Sequence, residues 1–242
     1  RISLITMSIV GGGIKGTLNA FFRPPIVIQQ KINDVTQFVK DKPFKKMRAL
    51  IIGGSRGLGE ISAKIIAVGG GSIIITYLTG EEDAKKVAKE IIDSGNTCKI
   101  FQMDVSKPQK PIESIIKENW QPTHILYFAT PHITSRPSDY KQKELNNVYS
   151  AALEKIVRIF ASSSSNRLKL FYPSSIYVKN PTVNLVDYAS AKIKGEKTAK
   201  KLEQELPNLD VIIERLPPLA TDQSVSLLNV DLATPLETMV RI

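Results

Sequence analysis

The feature that most constrains this chain is a regular alternation, from Met47 onward, of short β-branched runs with longer amphipathic stretches. That is the pattern of a parallel sheet covered by helices. Runs at 49–52, 72–77, 98–103, 124–129, 168–173 and 209–215 read as strands. Stretches at 60–68, 81–92, 112–119, 143–162, 188–205 and 234–241 read as helices, the second of them stopped by Gly95 in the manner of a C-terminal cap. The expected fold class is α/β: a Rossmann-type, three-layer α/β/α domain with a mostly parallel sheet, occupying residues 47–242.

The first 46 residues read differently. Apolar runs at 2–10 and 25–29 surround Gly11-Gly12-Gly13 and Arg23-Pro24-Pro25, a pattern of strands and turns outside the nucleotide fold. We take residues 1–46 as a β-rich N-terminal extension, with 43–46 as a linker. Two placements stay open: the tail of a preceding domain, or an edge extension of the main sheet. The chain starts at Arg1 without an initiator Met or a signal pattern, which reads as a fragment of something longer.

At 242 residues there is room for one α/β core and a small appendage, not for two full catalytic domains. The single cysteine, Cys98, excludes an internal disulfide and points to the cytoplasm. Apolar stretches fall far short of the roughly 20 residues a spanning helix needs, so no membrane is expected. Net charge is +10, and residues 1–46 hold eight Lys/Arg against two Asp. This excess suits steering of phosphorylated cofactors, coenzyme A or an acidic carrier protein, or a solvated surface. Aromatic residues do not interleave with the basic ones, so nucleic acid is not an expected partner. His124, His132 and Cys98 give no metal-ligand spacing, and both histidines are expected to be structural or exposed.

The strongest local signal is Ile52-Gly53-Gly54-Ser55-Arg56-Gly57-Leu58-Gly59, placed where a buried strand turns into a helix. Glycines there allow a tight turn and close approach of backbone to a pyrophosphate, whose charge meets the helix N-terminus. Gly53, Ser55, Arg56, Gly57, Leu58 and Gly59 are the expected cofactor contacts. Residues 75–77, at the end of the second strand, lack the acidic group that would hold a ribose 2′-hydroxyl, while Arg56 offers a cation for a 2′-phosphate. NADP(H) is therefore expected over NAD(H), although Glu81 and Glu82 lie nearby.

Tyr188-Ala189-Ser190-Ala191-Lys192 opens the last long helix, and its four-residue spacing puts phenol and ammonium on one face. Thirteen residues upstream, Ser175 ends a strand with a hydroxyl that can reach the same pocket. Singly, these residue types have ordinary structural uses. Their order and separations are what carry meaning: residues 47 to about 221 resemble the short-chain dehydrogenase/reductase family, through Gly53-x-x-x-Gly57-x-Gly59, Asp104-Val105, Ser175 and Tyr188-x-x-x-Lys192.

The resemblance implies that Tyr188 is the general acid of carbonyl reduction, and that Lys192 lowers the phenol's pKa and bonds the cofactor ribose. It implies that Ser175 orients the carbonyl and that Asn147 holds a relay water, with Asn146 as runner-up because the register is open by one. Asp104 and Val105 would contact the adenine end, and Ala129 the nicotinamide side. Three departures stand out. Phe128-Ala129-Thr130 replaces the usual Asn-Ala-Gly, Ile52 replaces a Thr, and Arg215-Leu216-Pro217-Pro218 replaces a Pro-Gly turn, a style closer to members acting on thioester or sugar substrates. A seventh strand and a long substrate lid, which the family commonly has, are not recognisable before Ile242.

The leading expectation is an NADPH-dependent ketoreductase acting on a small-molecule ketone, such as a 3-ketoacyl thioester on coenzyme A or acyl carrier protein, in a homo-oligomer. Two alternatives stay open: an epimerase or dehydratase of the extended branch, hinted at by Ser174-Ser175-Ile176-Tyr177-Val178, and a non-catalytic NADP-binding regulatory or structural domain.

Overall fold

The computed structural model describes residues 3–11, 14–22, 30–131, 139–163, 166–221 and 233–242. Of the sequence expectations, those on Gly12, Gly13, 25–29 and His132 lie outside the described residues.

Six parallel strands form one sheet in the order β5-β4-β3-β6-β7-β8: β3 Arg48–Ile52, β4 Ser72–Tyr77, β5 Cys98–Gln102, β6 His124–Tyr127, β7 Leu168–Ser175 and β8 Leu209–Leu216. The order reverses between β3 and β6, so a crevice opens at their carboxyl ends, the place where such sheets bind ligands. Ala49 through Ile52 and Ile74 and Ile75 are fully buried because helices cover both faces, which is why these strands read as continuous apolar runs rather than alternating ones.

The connecting helices are α2 Gly57–Val68, α3 Glu81–Asp93, α4 Gln109–Lys117, α5 Asp139–Asn146, α6 Leu153–Ser162 and α7 Val186–Glu205, with α8 Pro235–Val240 near the end. Two clusters fill the space between layers. One is built on Leu50, Tyr127, Phe160 and Tyr172, the other on Ile51, Ile66, Ile73 and Ile91. None of the helices among the described residues is long and apolar enough to cross a membrane.

Three boundaries differ from the sequence expectation in ways that matter for the site. The stretch expected as one helix over 143–162 is broken by a π turn at Asn147–Ala152 between α5 and α6. Its wider turn shifts the apolar phase over only six residues, too few for periodicity to reveal it. Helix α2 starts at Gly57, inside the glycine loop, rather than at residue 60. Helix α7 starts at Val186, which makes Tyr188 its third residue rather than its first.

The N-terminal extension divides in two. β1 Ser3–Gly11 and β2 Ile14–Phe22 form an antiparallel hairpin that is a sheet of its own, not an edge of the main one. Residues 30–46 instead pack on the α/β body, so Met47 does not mark the edge of its packing. Ile32 and Val35 of the short helix α1 (Ile32–Val35) are buried, and Phe44 lies against Gly69. Lys64 on α2, only 2% exposed, anchors this segment. Its ammonium reaches Glu60 at 2.8 Å, Glu90 at 2.7 Å and the carbonyl of Gln30 at 3.0 Å, while Glu90 accepts from the Ile32 N–H at 2.5 Å. A lysine that buried is tolerated only because two carboxylates and a carbonyl replace its water.

Candidate active site

The glycine loop leaves β3 and enters α2 beneath the carboxyl end of the sheet. Gly53 has φ +82° and Gly57 φ +55°, both in the left-handed region that favours glycine. A Cβ on Gly53 would meet the Ala129 nitrogen at 2.9 Å, and one on Gly59 would meet the Gly53 carbonyl oxygen at 2.2 Å. The loop is thereby folded onto the segment after β6 and onto itself. Thr76 ties it down, taking the Gly54 N–H on its carbonyl at 2.9 Å and the Gly53 N–H on its hydroxyl at 3.2 Å. Arg56, at the N-cap of α2, supplies no side-chain cap. The first-turn N–H groups are left for an anion. A bare cradle, a helix N-terminus and glycines that exclude side chains together fit the diphosphate of a dinucleotide.

The other loop residues sort by position. Arg56 donates from Nε to Asp83 at 2.5 Å, and its side chain is half exposed beside the end of β4. The Ser55 hydroxyl lies near Gly80, where an added Cβ would come within 3.2 Å of it. Leu58 packs toward the cluster under α8. Asp104, after β5, accepts the Ser106 hydroxyl at 2.7 Å and the Ser106 N–H at 2.9 Å, and these bonds hold its carboxyl below the usual range. Val105 packs at the edge of the main core. His124 sits at the opposite end of the sheet, sharing a hydrogen bond with Thr123 at 2.8 Å.

Two strands further along, the carboxyl end of β7 faces the start of α7. Ser175 is 6% exposed, accepts the Tyr177 N–H at 3.3 Å and lies beside the Tyr188 phenol, whose pKa it lowers. Lys192, one turn beyond Tyr188, is buried; its ammonium donates to the Pro173 carbonyl at 2.7 Å. It lies 4.2 Å from the ring centroid of Tyr149, 5.1 Å from that of Tyr172 and 5.8 Å from that of Tyr188. Three aromatic faces thus stabilise a cation that burial opposes. The hydroxyl, phenol and ammonium expected from three places in the sequence do meet.

Electrostatics depart from expectation. Burial pushes the Tyr188 phenol up to about 12, against the opposing effect of Ser175, so without cofactor Lys192 does not bring it below its ordinary value. Burial also pulls the Lys192 ammonium down to about 7, with Glu196 resisting. The Tyr188 phenol is therefore protonated throughout the neutral range.

Asn147 is exposed at the head of the π turn, and Asn146 is half-buried just before it; neither makes a side-chain hydrogen bond among the described residues. Sequence reasoning missed two neighbours. Tyr149 is buried, edge-on to Tyr188 with centroids 5.9 Å apart, and its phenol shares a hydrogen bond with Thr130. The altered Phe128-Ala129-Thr130 turn supplies the threonine of that pair. Thr221, after β8, lies 3.7 Å from where a Cβ on Gly57 would be. Its place five residues beyond Leu216 was the only available signal.

A doubly wound parallel sheet, a glycine cradle at its reversal point and a Ser–Tyr–Lys group two strands away define a Rossmann-type dinucleotide-binding domain of the dehydrogenase kind. A family model for the short chain dehydrogenases matches residues 47–227. The chain belongs to that family, whose members are NAD(P)-dependent oxidoreductases.

The chain is 25% identical over 194 residues to NADPH-dependent aldehyde reductase 2, chloroplastic, of Arabidopsis thaliana, covering 70% of each. It is 26% identical over 179 residues to an uncharacterised oxidoreductase of Schizosaccharomyces pombe, covering 67% of this chain and 66% of that one. Among solved structures, a short chain dehydrogenase of Shigella flexneri complexed with NADP superposes with a TM-score of 0.75 at 21% identity, covering 83% of this chain and 90% of its own. The angucycline C-6 ketoreductase LanV with bound NADP superposes with a TM-score of 0.73 at 17% identity, covering 82% and 87%. These structures share the fold.

Proposed function

We propose that this protein is an NADPH-dependent carbonyl reductase that converts a small-molecule ketone or aldehyde to an alcohol. The observation that carries the reading is the meeting of Ser175, Tyr188 and Lys192 at the carboxyl end of the sheet that also holds the glycine cradle. The names of similar proteins support reduction: an NADPH-dependent aldehyde reductase and a ketoreductase.

NADPH, when bound, supplies the hydride. The loop from Gly53 to Gly59 and the α2 N-terminus would hold its diphosphate, Arg56 its 2′-phosphate, and Asp104 and Val105 its adenine end. Ala129 would flank the nicotinamide, and Lys192 would bond the ribose. Ser175 donates to the substrate carbonyl oxygen and holds it against Tyr188. Tyr188 then delivers its proton to that oxygen as negative charge develops there, and Ser175 keeps its own. A phenol raised by burial suits this direction, because it is fully protonated at neutral pH and the alkoxide it meets is far more basic. Asn147, at the mouth of the π turn, is the proposed holder of a water that returns a proton toward Lys192. A 3-ketoacyl thioester on coenzyme A or a carrier protein is the narrower substrate proposal, supported by the net charge of +10, which would steer an anionic carrier toward the protein.

Arg56 sets cofactor choice. Paired with Asp83, it both meets a 2′-phosphate and masks the carboxylate that would repel one. Arg56→Ala is expected to lower kcat/KM with NADPH by roughly ten- to a hundredfold, the loss of a charged hydrogen bond, and to change the value with NADH less than about twofold. Oxidation of each cofactor, followed at the nicotinamide absorbance with a ketone and aldehyde panel, checks this. Equal losses with both cofactors contradict the assignment of Arg56, and an inert panel contradicts the reductase reading.

A further inference from the structure

One turn beyond Lys192, Glu196 on α7 is a buried carboxylate, 6% exposed, that the reaction above does not use. It is clamped from two strands. Ser174 on β7 donates to Oε1 at 2.5 Å; Arg215 on β8 donates from Nε to Oε1 at 2.9 Å and from Nη2 to Oε2 at 2.7 Å. Ser174 and Arg215 are register partners across β7 and β8, so a single carboxylate fastens both strand ends to the helix. Ser174 is the immediate neighbour of Ser175, and Glu196 shares the helix face of Tyr188 and Lys192 at spacings of four and eight residues. The fit is close: at Gly195 a Cβ would fall 1.9 Å from the Tyr172 phenol oxygen, so helix and strand approach there as only glycine allows.

Resting on the reading of Ser175, Tyr188 and Lys192 as the reductase group, we propose that Glu196 is its positioning residue. Held by Ser174 and Arg215, it fixes the strand end that presents Ser175 against the helix that presents Tyr188 and Lys192, and it is the buried counter-charge for the Lys192 ammonium. The other groups facing that ammonium are the rings of Tyr149 and Tyr172, the phenol of Tyr188 and the Pro173 carbonyl, none of them an anion. Besides Lys192, Arg215, 39% exposed in its side chain, and Lys200 are cations whose charge acts on Glu196. Arg215 foremost, with Ser174 and Lys200, holds its carboxyl below the usual range.

The test uses the full chain with Glu196→Gln and Ser174→Ala, thermal melts confirming folding. Lysine labelled with carbon-13 at Cε lets the Lys192 resonance, assigned by its loss in Lys192→Met, be titrated without cofactor. In Glu196→Gln the counter-charge is gone while Arg215 remains, so the Lys192 midpoint is expected to fall by about one pH unit, and the alkaline limb of kcat for NADPH-dependent reduction to fall with it. Ser174→Ala keeps the charge but loosens the clamp. It is expected to keep the Lys192 midpoint and lower kcat several-fold at unchanged KM for NADPH, which simple destabilisation would not do. An unchanged Lys192 midpoint in Glu196→Gln, or wild-type kcat in Ser174→Ala, overturns the proposal. If Glu196→Gln does not fold, Ser174→Ala decides through kcat. If the wild-type enzyme reduces nothing, the reductase reading fails, and the Lys192 titration still decides the role of Glu196.

Discussion

Tyr188→Phe is expected to lower kcat for carbonyl reduction by a factor of roughly 10² to 10⁴, the usual worth of a positioned proton donor, while changing the Kd for NADPH less than about twofold. The substitution removes one oxygen and little else. The ring that packs edge-on against Tyr149 at 5.9 Å and lies 5.8 Å from the Lys192 ammonium is retained, so the helix and the aromatic cage keep their contacts. Ser175 loses its neighbouring hydroxyl but stays anchored through the Tyr177 N–H. Steady-state kinetics and a fluorescence titration with NADPH check the two halves separately. Activity within tenfold of wild type would mean that the proton comes from elsewhere, and a parallel loss of NADPH binding would mean that Tyr188 acts in cofactor binding rather than in proton transfer.

Gly59→Ala is expected to weaken NADPH binding by about a hundredfold or more, and to cost roughly 1–3 kcal/mol of stability, the range for forcing one extra carbon into a packed site. The new Cβ would lie 2.2 Å from the Gly53 carbonyl oxygen and 2.9 Å from the Gly54 Cα, and both are backbone atoms of the cradle itself. Relief comes only by opening the turn that carries the diphosphate. Gly95→Ala is the informative contrast. Gly95 has φ +84° with nothing within 4 Å of an added Cβ, so the substitution should cost stability through backbone strain alone and leave NADPH affinity untouched. Calorimetric titration and thermal melts of both variants check the pair. A Gly59→Ala protein that binds NADPH as wild type does would remove the loop from the cofactor site.

The parts of this molecule legible in its sequence are those with a local cause. Ala49-Leu50-Ile51-Ile52 running into a glycine cluster reads as a buried strand entering a phosphate turn, and the strand lies where expected, with the helix starting inside the loop at Gly57. Tyr188 and Lys192 were legible because four residues is one helical turn. Glu196, a further turn along, carries the same signal, but a glutamate on a helix is ordinarily solvated, and only Arg215, nineteen residues away on β8, explains its burial. Tyr149 was hidden for a different reason: an aromatic in an amphipathic helix reads as core, and its value to the site comes from the π turn that rotates it under Lys192. The strand at Ile14–Phe22 was also missed, although Ile14, Gly16, Leu18, Ala20 and Phe22 alternate with polar or small residues over most of its length; the glycines drew attention to a turn instead. The high phenol pKa could not be read at all, because it is a consequence of burial.

The most direct test of the central claim is to follow the transferred atom. NADPH carrying deuterium at the transferable C4 position, incubated with a carbonyl panel and the wild-type enzyme, should yield an alcohol with one deuterium on its carbinol carbon, and Tyr188→Phe should yield next to none at full cofactor occupancy. NADPH that binds tightly while its label reaches no carbonyl carbon would contradict the account.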